Sequence, residues 1–348
     1  MRDLDDWQPE WQEPASTTYC GYDLASVPPP GQGFTCLQTL NILEGFDLAA
    51  SGQNSGETLH LVTEALKLSV ADRIAYAGRP DIPIGDLLSK EYAAHRRELI
   101  DRDRAHLSEG ERFGGLTGPD IIGAGTPGDF SRECTTHFDV VDGEGSAVSV
   151  TQSLGAFFGS GAMAGDTGIM LNNFLFWAEL DPASAAAVVA PHKRMGTRMA
   201  PVAISRDGRL FVMIGTPGSY GIPQTTQMIS NVLDHGFSIQ AAIEAPRIRT
   251  YSGTTIDIEG RVPEDVRAEL TRRGHDLRVI PDWSPAVGGG QGIMIDPESG
   301  VLMGARTPGE TGMPSPSDTD SCGTLPESQA GKRALPPERR RTVHQESV

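Results

Sequence analysis

Apolar residues at helical spacing give the clearest local signal in this sequence. Leu59, Val62, Leu66, Val70 and Ile74 fall on one stripe at intervals of three and four, the pattern of an amphipathic helix. Ser55 stands where an N-cap is needed, and Gly78 with Pro80 ends the pattern. Leu37, Leu40, Leu43 and Phe46 predict a helix over about 34–46, and another is expected over about 89–104. The helices from Ser55 and over 89–104 read as outer-layer helices with one buried face. The period then changes from helix to strand. Thr136–Asp142, the turn Gly143-Glu144-Gly145 and Ser146–Leu154 predict a β-hairpin. A second hairpin runs Val202–Ser205, Asp207-Gly208, Leu210–Ile214, where Asp-Gly between apolar strands is a strong turn signal. A third runs Gly292–Ile295, Asp296–Gly300, Val301–Ala305. Helices are predicted between the last two at about 222–234, 238–245 and 263–273, with Pro263 near the first turn of the last.

Three stretches lack such periodicity. Residues 1–33, punctuated by Pro, Gly and aromatics and closed by Pro28-Pro29-Pro30-Gly31, read as extended chain. Residues 109–133, where Gly114, Gly115, Gly118, Gly123, Gly125 and Gly128 crowd together with Pro119 and Pro127, read as a mobile loop or linker. After about 306 the sequence is polar and Pro-rich and reads as a disordered tail. Helices, then strands, then both, suggest sheets sandwiched by helix layers.

Length and charge narrow the functional classes. A chain of 348 residues can bury a sizeable core. A formal net charge of −17 leaves no basic stripe for nucleic acid, and the run Arg339–Arg341 lies in the tail. The four cysteines, Cys20, Cys36, Cys134 and Cys322, have neither a CxxC pair nor metal-ligand spacing and read as free thiols. No run approaches the ~18 apolar residues of a membrane helix, and the N-terminus lacks the apolar stretch of a signal peptide. The chain as written is therefore expected in the cytoplasm.

The candidate chemistry lies where the Gly-rich stretch meets a strand, at Cys134-Thr135-Thr136-His137-Phe138. Taken alone, paired threonines before a strand need no explanation beyond β-propensity. The position allows a sharper reading. A peptide bond strained at the mouth of a strand can be attacked by the following hydroxyl. Cleavage then frees an α-amine of pKa about 8 on the nucleophilic residue itself, where it can act as general base. Gly215-Thr216-Pro217-Gly218-Ser219 follows a strand and opens a helix, so its backbone N–H groups could stabilise an oxyanion or simply make a turn. His60 and Glu64 sit one helical turn apart, but without a second histidine they make no zinc motif. His137 is better explained by strand structure and local hydrogen bonding than as a general base.

The order of these blocks resembles the γ-glutamyltransferase family. The likeness runs from Thr135-Thr136-His137-Phe138-Asp139-Val140-Val141-Asp142 through Phe158-Gly159-Ser160-Gly161 and Gly165-Asp166-Thr167-Gly168-Ile169-Met170-Leu171-Asn172-Asn173. It continues through Gly215-Thr216-Pro217-Gly218, Glu244-Ala245-Pro246-Arg247 and Gly288-Gly289-Gly290-Gln291. Upstream, Pro28–Gly33, Leu59-His60 and Glu64-Ala65 resemble the end of the family's large subunit. The resemblance covers about 15–305 and implies an α+β fold, the αββα four-layer sandwich of N-terminal-nucleophile hydrolases, incomplete at the N-terminus. It implies a mainly helical large-subunit-like region over 1–134, a catalytic region over 135–305 carrying the sheets, and a tail over 306–348. Self-cleavage would fall between Cys134 and Thr135, with acyl transfer through a Thr135 ester, Ser153 as hydroxyl partner, and Gly218 with Ser219 as oxyanion donors. The implied substrate is a small amide, glutathione-like or related, and the resemblance implies no metal or organic cofactor.

The substrate clamp departs from the family. Its asparagine falls on Gly155, its glutamine and aspartate on Phe174 and Trp177, and its Ser-Ser pair on Thr197 and Arg198. Losing the partner of a buried ammonium costs on the order of several kcal/mol, so glutathione-like donors are expected to be poor. A cephalosporin acylase-like specificity is the alternative; the rival class is an inactive fragment serving only as an interaction surface. The resemblance begins midway through the family's large subunit. Exposed apolar surface is therefore expected around both the 136–154 and 202–214 hairpins, at Val140, Val150, Val212 and Ile214. A separate polypeptide carrying the missing half, or a second copy, could cover it.

Overall fold

The computed structural model describes residues 8–308 apart from positions 80, 107–134, 157, 179–187, 192, 218–220 and 251–252. The Gly-rich stretch and the tail expected from the sequence thus lie outside the described residues, save for Arg306 at the end of the last strand, the buried Thr307 and Pro308.

Ser55 does cap the long helix, accepting the Thr58 N–H at 3.1 Å. That helix spans Gly56–Tyr76 (α3), preceded by Phe34–Leu43 (α1) and the short Leu48–Ser51 (α2). The helix from Ser55, expected in an outer layer, has no single wet face over its first three turns, and α1 has none at all. All ten residues of α1 are buried, and the first three turns of α3 bury Thr58, His60, Thr63, Glu64 and Lys67 along with the apolar stripe. Such helices look amphipathic only in part, because most of their polar side chains bond within the protein, Thr39, Asn41 and Thr63 to backbone carbonyls and Gln38 and Glu64 to charged side chains. The expected helix over 89–104 is a shorter one, Lys90–Arg97 (α5), preceded by the single turn Ile84–Leu87 (α4), which the sequence did not announce. Gly221–Leu233 (α6), Ile239–Glu244 (α7) and Glu264–Arg272 (α8) fall where the sequence placed them.

The main sheet has six strands in the order β1-β2-β5-β6-β10-β11, all pairs antiparallel. The second hairpin supplies β5 (Val202–Arg206) and β6 (Arg209–Gly215), and the third supplies β10 (Gln291–Ile295) and β11 (Leu302–Arg306). Two strands come from the stretch read as extended chain, β1 (Ala15–Tyr19) and β2 (Tyr22–Ser26). The sheets are therefore not confined to 135–305. Cys20 and Gly21 make the β1–β2 turn with φ of 49° and 81°, so this is a two-residue hairpin with both central residues left-handed. Val202, Ile204, Val212, Ile214 and Met294 face a helix layer containing Leu37, Leu40, Met228 and Ile229, and form one core with it.

On the opposite face of this sheet lies the first hairpin, β3 (Thr135–Val141) and β4 (Ala147–Ser153), a separate two-stranded sheet that packs on β6 and β10. A third sheet, β7 (Ile248–Thr250), β8 (Thr255–Glu259) and β9 (Asp276–Ile280), pairs β8 with β9 in parallel. It packs with α8 and Leu59 around a second small core.

The expected bare surface divides between the hairpins. Val212 and Ile214 are fully buried, because the helix layer covers β5–β6. The outer face of β3–β4 is open: Val140 and Val148, directly paired, are 54% and 57% exposed, and Val150 is half-buried. Among the described residues no helix is long and apolar enough to cross a membrane.

Candidate active site

Strand parity sets which side chains of β3 meet the main sheet. Thr135, His137 and Asp139 point inward, whereas Thr136, Phe138 and Val140 point out. The register places Thr135 opposite Ser153, His137 opposite Thr151 and Asp139 opposite Ser149. The Thr135 hydroxyl donates to Ser153 Oγ at 3.0 Å, and that oxygen also accepts the Gly155 N–H at 2.9 Å. The two hydroxyls named from the sequence are thus brought together by a cross-strand pair 18 residues apart.

Gly155 turns the chain out of β4 with φ of 88°, a conformation that L side chains rarely adopt. A β-carbon there would also run into the side-chain oxygen of Asn173. That oxygen accepts the Ala156 N–H at 3.0 Å, and the Asn173 N–H donates to Leu154 O at 3.0 Å, so Asn173 clips the turn beside Ser153. Phe174 is half-buried next to Gly155 and opens the short 3-10 turn Phe174–Trp177. Trp177 lies on that turn, but its side chain is outside the described residues, as are Gly218 and Ser219. Thr197 pairs through its backbone with Gly31, and Arg198 is half-buried.

Thr216 and Pro217, both buried, lead from β6 toward Gly218. Gly288, with φ of 66°, closes against Pro217 O and Thr216 Oγ1 so tightly that a side chain would not fit. Thr307 Oγ1 accepts from Gly290 N–H at 2.9 Å and from the buried Arg247 at 3.2 Å, which holds the end of β11 to this glycine loop. Between β3 and β10–β11 lies a cavity of about 670 Å³ whose walls include Thr135, Asp139, Pro217, Gln291, Ile293 and Arg306. Ser153, Gly155, Phe174, Thr197 and Arg198 do not line it.

Asn173, Thr151 and Asp139 escaped the reading of the sequence as functional positions. The period-two alternation from Thr135 already put His137 and Asp139 on its face. The roles of Thr151 and Asn173 depended on register and on a turn that the sequence does not encode locally.

A second polar cluster lies away from the cavity. The histidine missing from the His60–Glu64 pair comes from His275: His60 Nδ1 and His275 Nε2 are 2.8 Å apart, and donor atoms of all three residues lie within 4.8 Å of one another. Both oxygens of Glu64 are already engaged, one by Lys67 at 2.7 Å and the other by His106 at 3.0 Å. His60 Nε2 meets the Asp101 carbonyl at 2.8 Å. Burial, with Lys67 nearby, pushes His275 down to about 3 and also lowers His60. Two neutral imidazoles sharing one proton, beside a closed Glu64–Lys67 ion pair, account for this cluster as a buried tie between α3, the segment after α5 and β9.

Comparison with known proteins places these features in context. Residues 1–316 match the family model for gamma-glutamyltranspeptidase. The chain is 37% identical over 308 residues to an acylase ACY 1 proenzyme of Pseudomonas sp. (strain V22), covering 87% of this chain and 51% of that protein. It is 36% identical to a glutathione hydrolase-like proenzyme of Bacillus subtilis (strain 168), covering 86% and 55%. Among solved structures, the cephalosporin acylase from Bacillus halodurans superposes with a TM-score of 0.75 at 31% identity, over 88% of this chain and 53% of that one. The chain spans about half the length of the curated relatives it matches.

Proposed function

Because this chain belongs to the gamma-glutamyltranspeptidase family, we propose that it is an amidohydrolase or acyltransferase whose nucleophile is Thr135, freed by self-cleavage after Cys134. The observation that carries this reading is the Thr135–Ser153 hydroxyl pair at 3.0 Å, with Thr135 the first residue of a strand and in the wall of a cavity. In processing, Thr135 Oγ attacks the carbonyl carbon of residue 134. The C–N bond breaks, and the hydroxyl proton passes to the nitrogen, which becomes the Thr135 α-amine. Water then hydrolyses the ester and restores the hydroxyl. In turnover the amine takes the Oγ proton as the hydroxyl attacks a substrate amide. Ser153 orients Oγ, the leaving amine departs protonated, and water or an acceptor amine releases the acyl group. Gly218 and Ser219, next along from Pro217, are the proposed oxyanion donors. A denaturing gel of purified protein should show two pieces, 1–134 and 135–348, and a single intact band would remove the self-cleavage and favour an inactive fragment.

The proposed architecture is the αββα sandwich of N-terminal-nucleophile hydrolases. Support comes from a helix layer, the six-stranded sheet and the β3–β4 sheet stacked in that order. The open apolar face of β3–β4 supports a further polypeptide as its cover, since an exposed sheet face invites pairing with another chain. Light scattering on protein purified from its native host should find a heteromeric mass. A monomer, or a dimer of this chain alone, would contradict a separate covering chain.

The substrates proposed are γ-glutamyl, glutathione-like or related amides. The residues beside Ser153 favour the related ones, although they do not line the cavity. Gly155 offers no side chain, Phe174 is apolar, and neither can hold an α-ammonium. The acylase reading, suggested by the relatives of that name, draws on this feature. We expect kcat/KM for γ-glutamyl-p-nitroanilide about 100-fold below that for an anilide with an uncharged acyl group, from the lost ammonium partners. Equal values would refute this specificity.

A further inference from the structure

His137 lies between the Thr135 strand and the end of β6. Its side chain is fully buried, and so, to 2% exposure, is that of Asp139. Nε2 is 3.2 Å from Asp139 Oδ2, and Nδ1 is 2.7 Å from Thr151 Oγ1 on the paired strand. The ring lies against Gly215 so closely that a β-carbon there would collide with Cε1, Nδ1 and Nε2. Gly215 is the last residue of β6 and immediately precedes Thr216-Pro217 and the proposed oxyanion turn. A single imidazole thus spans the distance between the strand that begins at Thr135 and the strand that ends at the turn.

We infer that Asp139 and Thr151 clamp the His137 ring with its face against Gly215, and that this clamp sets the spacing between the Thr135 hydroxyl and the end of β6, where Thr216-Pro217 lead on to the proposed oxyanion donors. An ionised carboxylate only accepts, so Asp139 requires a proton on Nε2. Nδ1 then accepts from the Thr151 hydroxyl in the neutral ring or donates to it in the charged one. Both nitrogens are occupied, and the Thr135 hydroxyl is committed to Ser153, so His137 is not the base. It is a positioning residue, with Asp139 holding it. Because nucleophile and donors must agree to within a fraction of an ångström, a tilt of the ring costs rate rather than affinity.

The inference rests on Thr135 being the nucleophile, and its tests separate the two. In Thr135→Ala protein, which needs no activity, the 15N shifts of His137 should show Nε2 carrying a fixed proton. A bare Nε2, or a ring averaging between tautomers, overturns the clamp whether or not the chain is an enzyme. In the active protein, Asp139→Leu should slow processing and lower kcat by about 100-fold with KM nearly unchanged. Asp139→Asn, whose amide oxygen can still accept from Nε2, should recover most of that loss. Wild-type kcat in Asp139→Leu would overturn the inference. Should Asp139→Leu fail to fold, Thr151→Val serves in its place: it must lower kcat at constant KM, and an unchanged kcat overturns the clamp equally.

Discussion

Thr135→Ala is expected to run as one full-length band and to retain no amidase activity above background, a loss of about three orders of magnitude or more. The substitution removes the atom that opens the 134–135 bond. It also leaves the α-nitrogen locked in a peptide, where it cannot serve as a base. Both halves of the mechanism therefore fail together, and the effect exceeds that of any supporting residue. Ser153→Ala leaves the nucleophile in place without its 3.0 Å partner and should slow processing rather than abolish it. Thr135→Ser should process, since the attacking oxygen is kept. A Thr135→Ala protein that still yields 1–134 and 135–348 would place the cleavage in the hands of another protease.

Gly215→Ala is expected to be the most damaging single methyl in the described structure near the site. A β-carbon at 215 would lie inside the contact distance of three His137 ring atoms. The ring cannot retreat easily, because Asp139 and Thr151 hold its two nitrogens and it is fully buried. The β3–β4 hairpin must then lift off β6, an overpacking cost of about 1–3 kcal/mol or more. Lifting the hairpin also moves Thr135 away from Pro217 across the cavity they share, so processing should stop even where the protein still folds. His137→Ala in the same chain should restore part of the melting temperature by making room for the methyl. Additive losses in the double variant would show that the ring and the glycine are not in the contact described.

The same crossing shows what local sequence could and could not convey. Thr135 and Ser153 were legible as a pair through the family resemblance, and the hairpin turn Gly143-Glu144-Gly145 sets the register that brings them together. The Asp207-Gly208 turn was equally plain, and both residues take positive φ as that dipeptide predicts. The β1–β2 hairpin escaped because its turn is Cys20-Gly21, and only the backbone geometry reveals it as the same kind of turn. Strand β8 escaped for another reason. All five of its residues are buried, yet Asp257 and Glu259 alternate with Ile256 and Ile258, and charge reads as solvent exposure. Arg249 and Arg278 on neighbouring strands neutralise Asp257, and Arg261 neutralises Glu259.

The sequence by itself determined most of the longer helices and three hairpins, because caps, turns and periodicity act within a few residues. It also determined the family, because several short blocks stand in a fixed order. Only the tertiary structure decided which polar residues are interior. His275 reaches His60 across 215 residues, α1 is buried on every side, and Gly155 is held glycine by Asn173. It likewise decided that β5–β6 is covered while the outer face of β3–β4 is open. Burial is a property of what packs against a residue, and the packing partners of these side chains come from distant parts of the chain that no local pattern can specify.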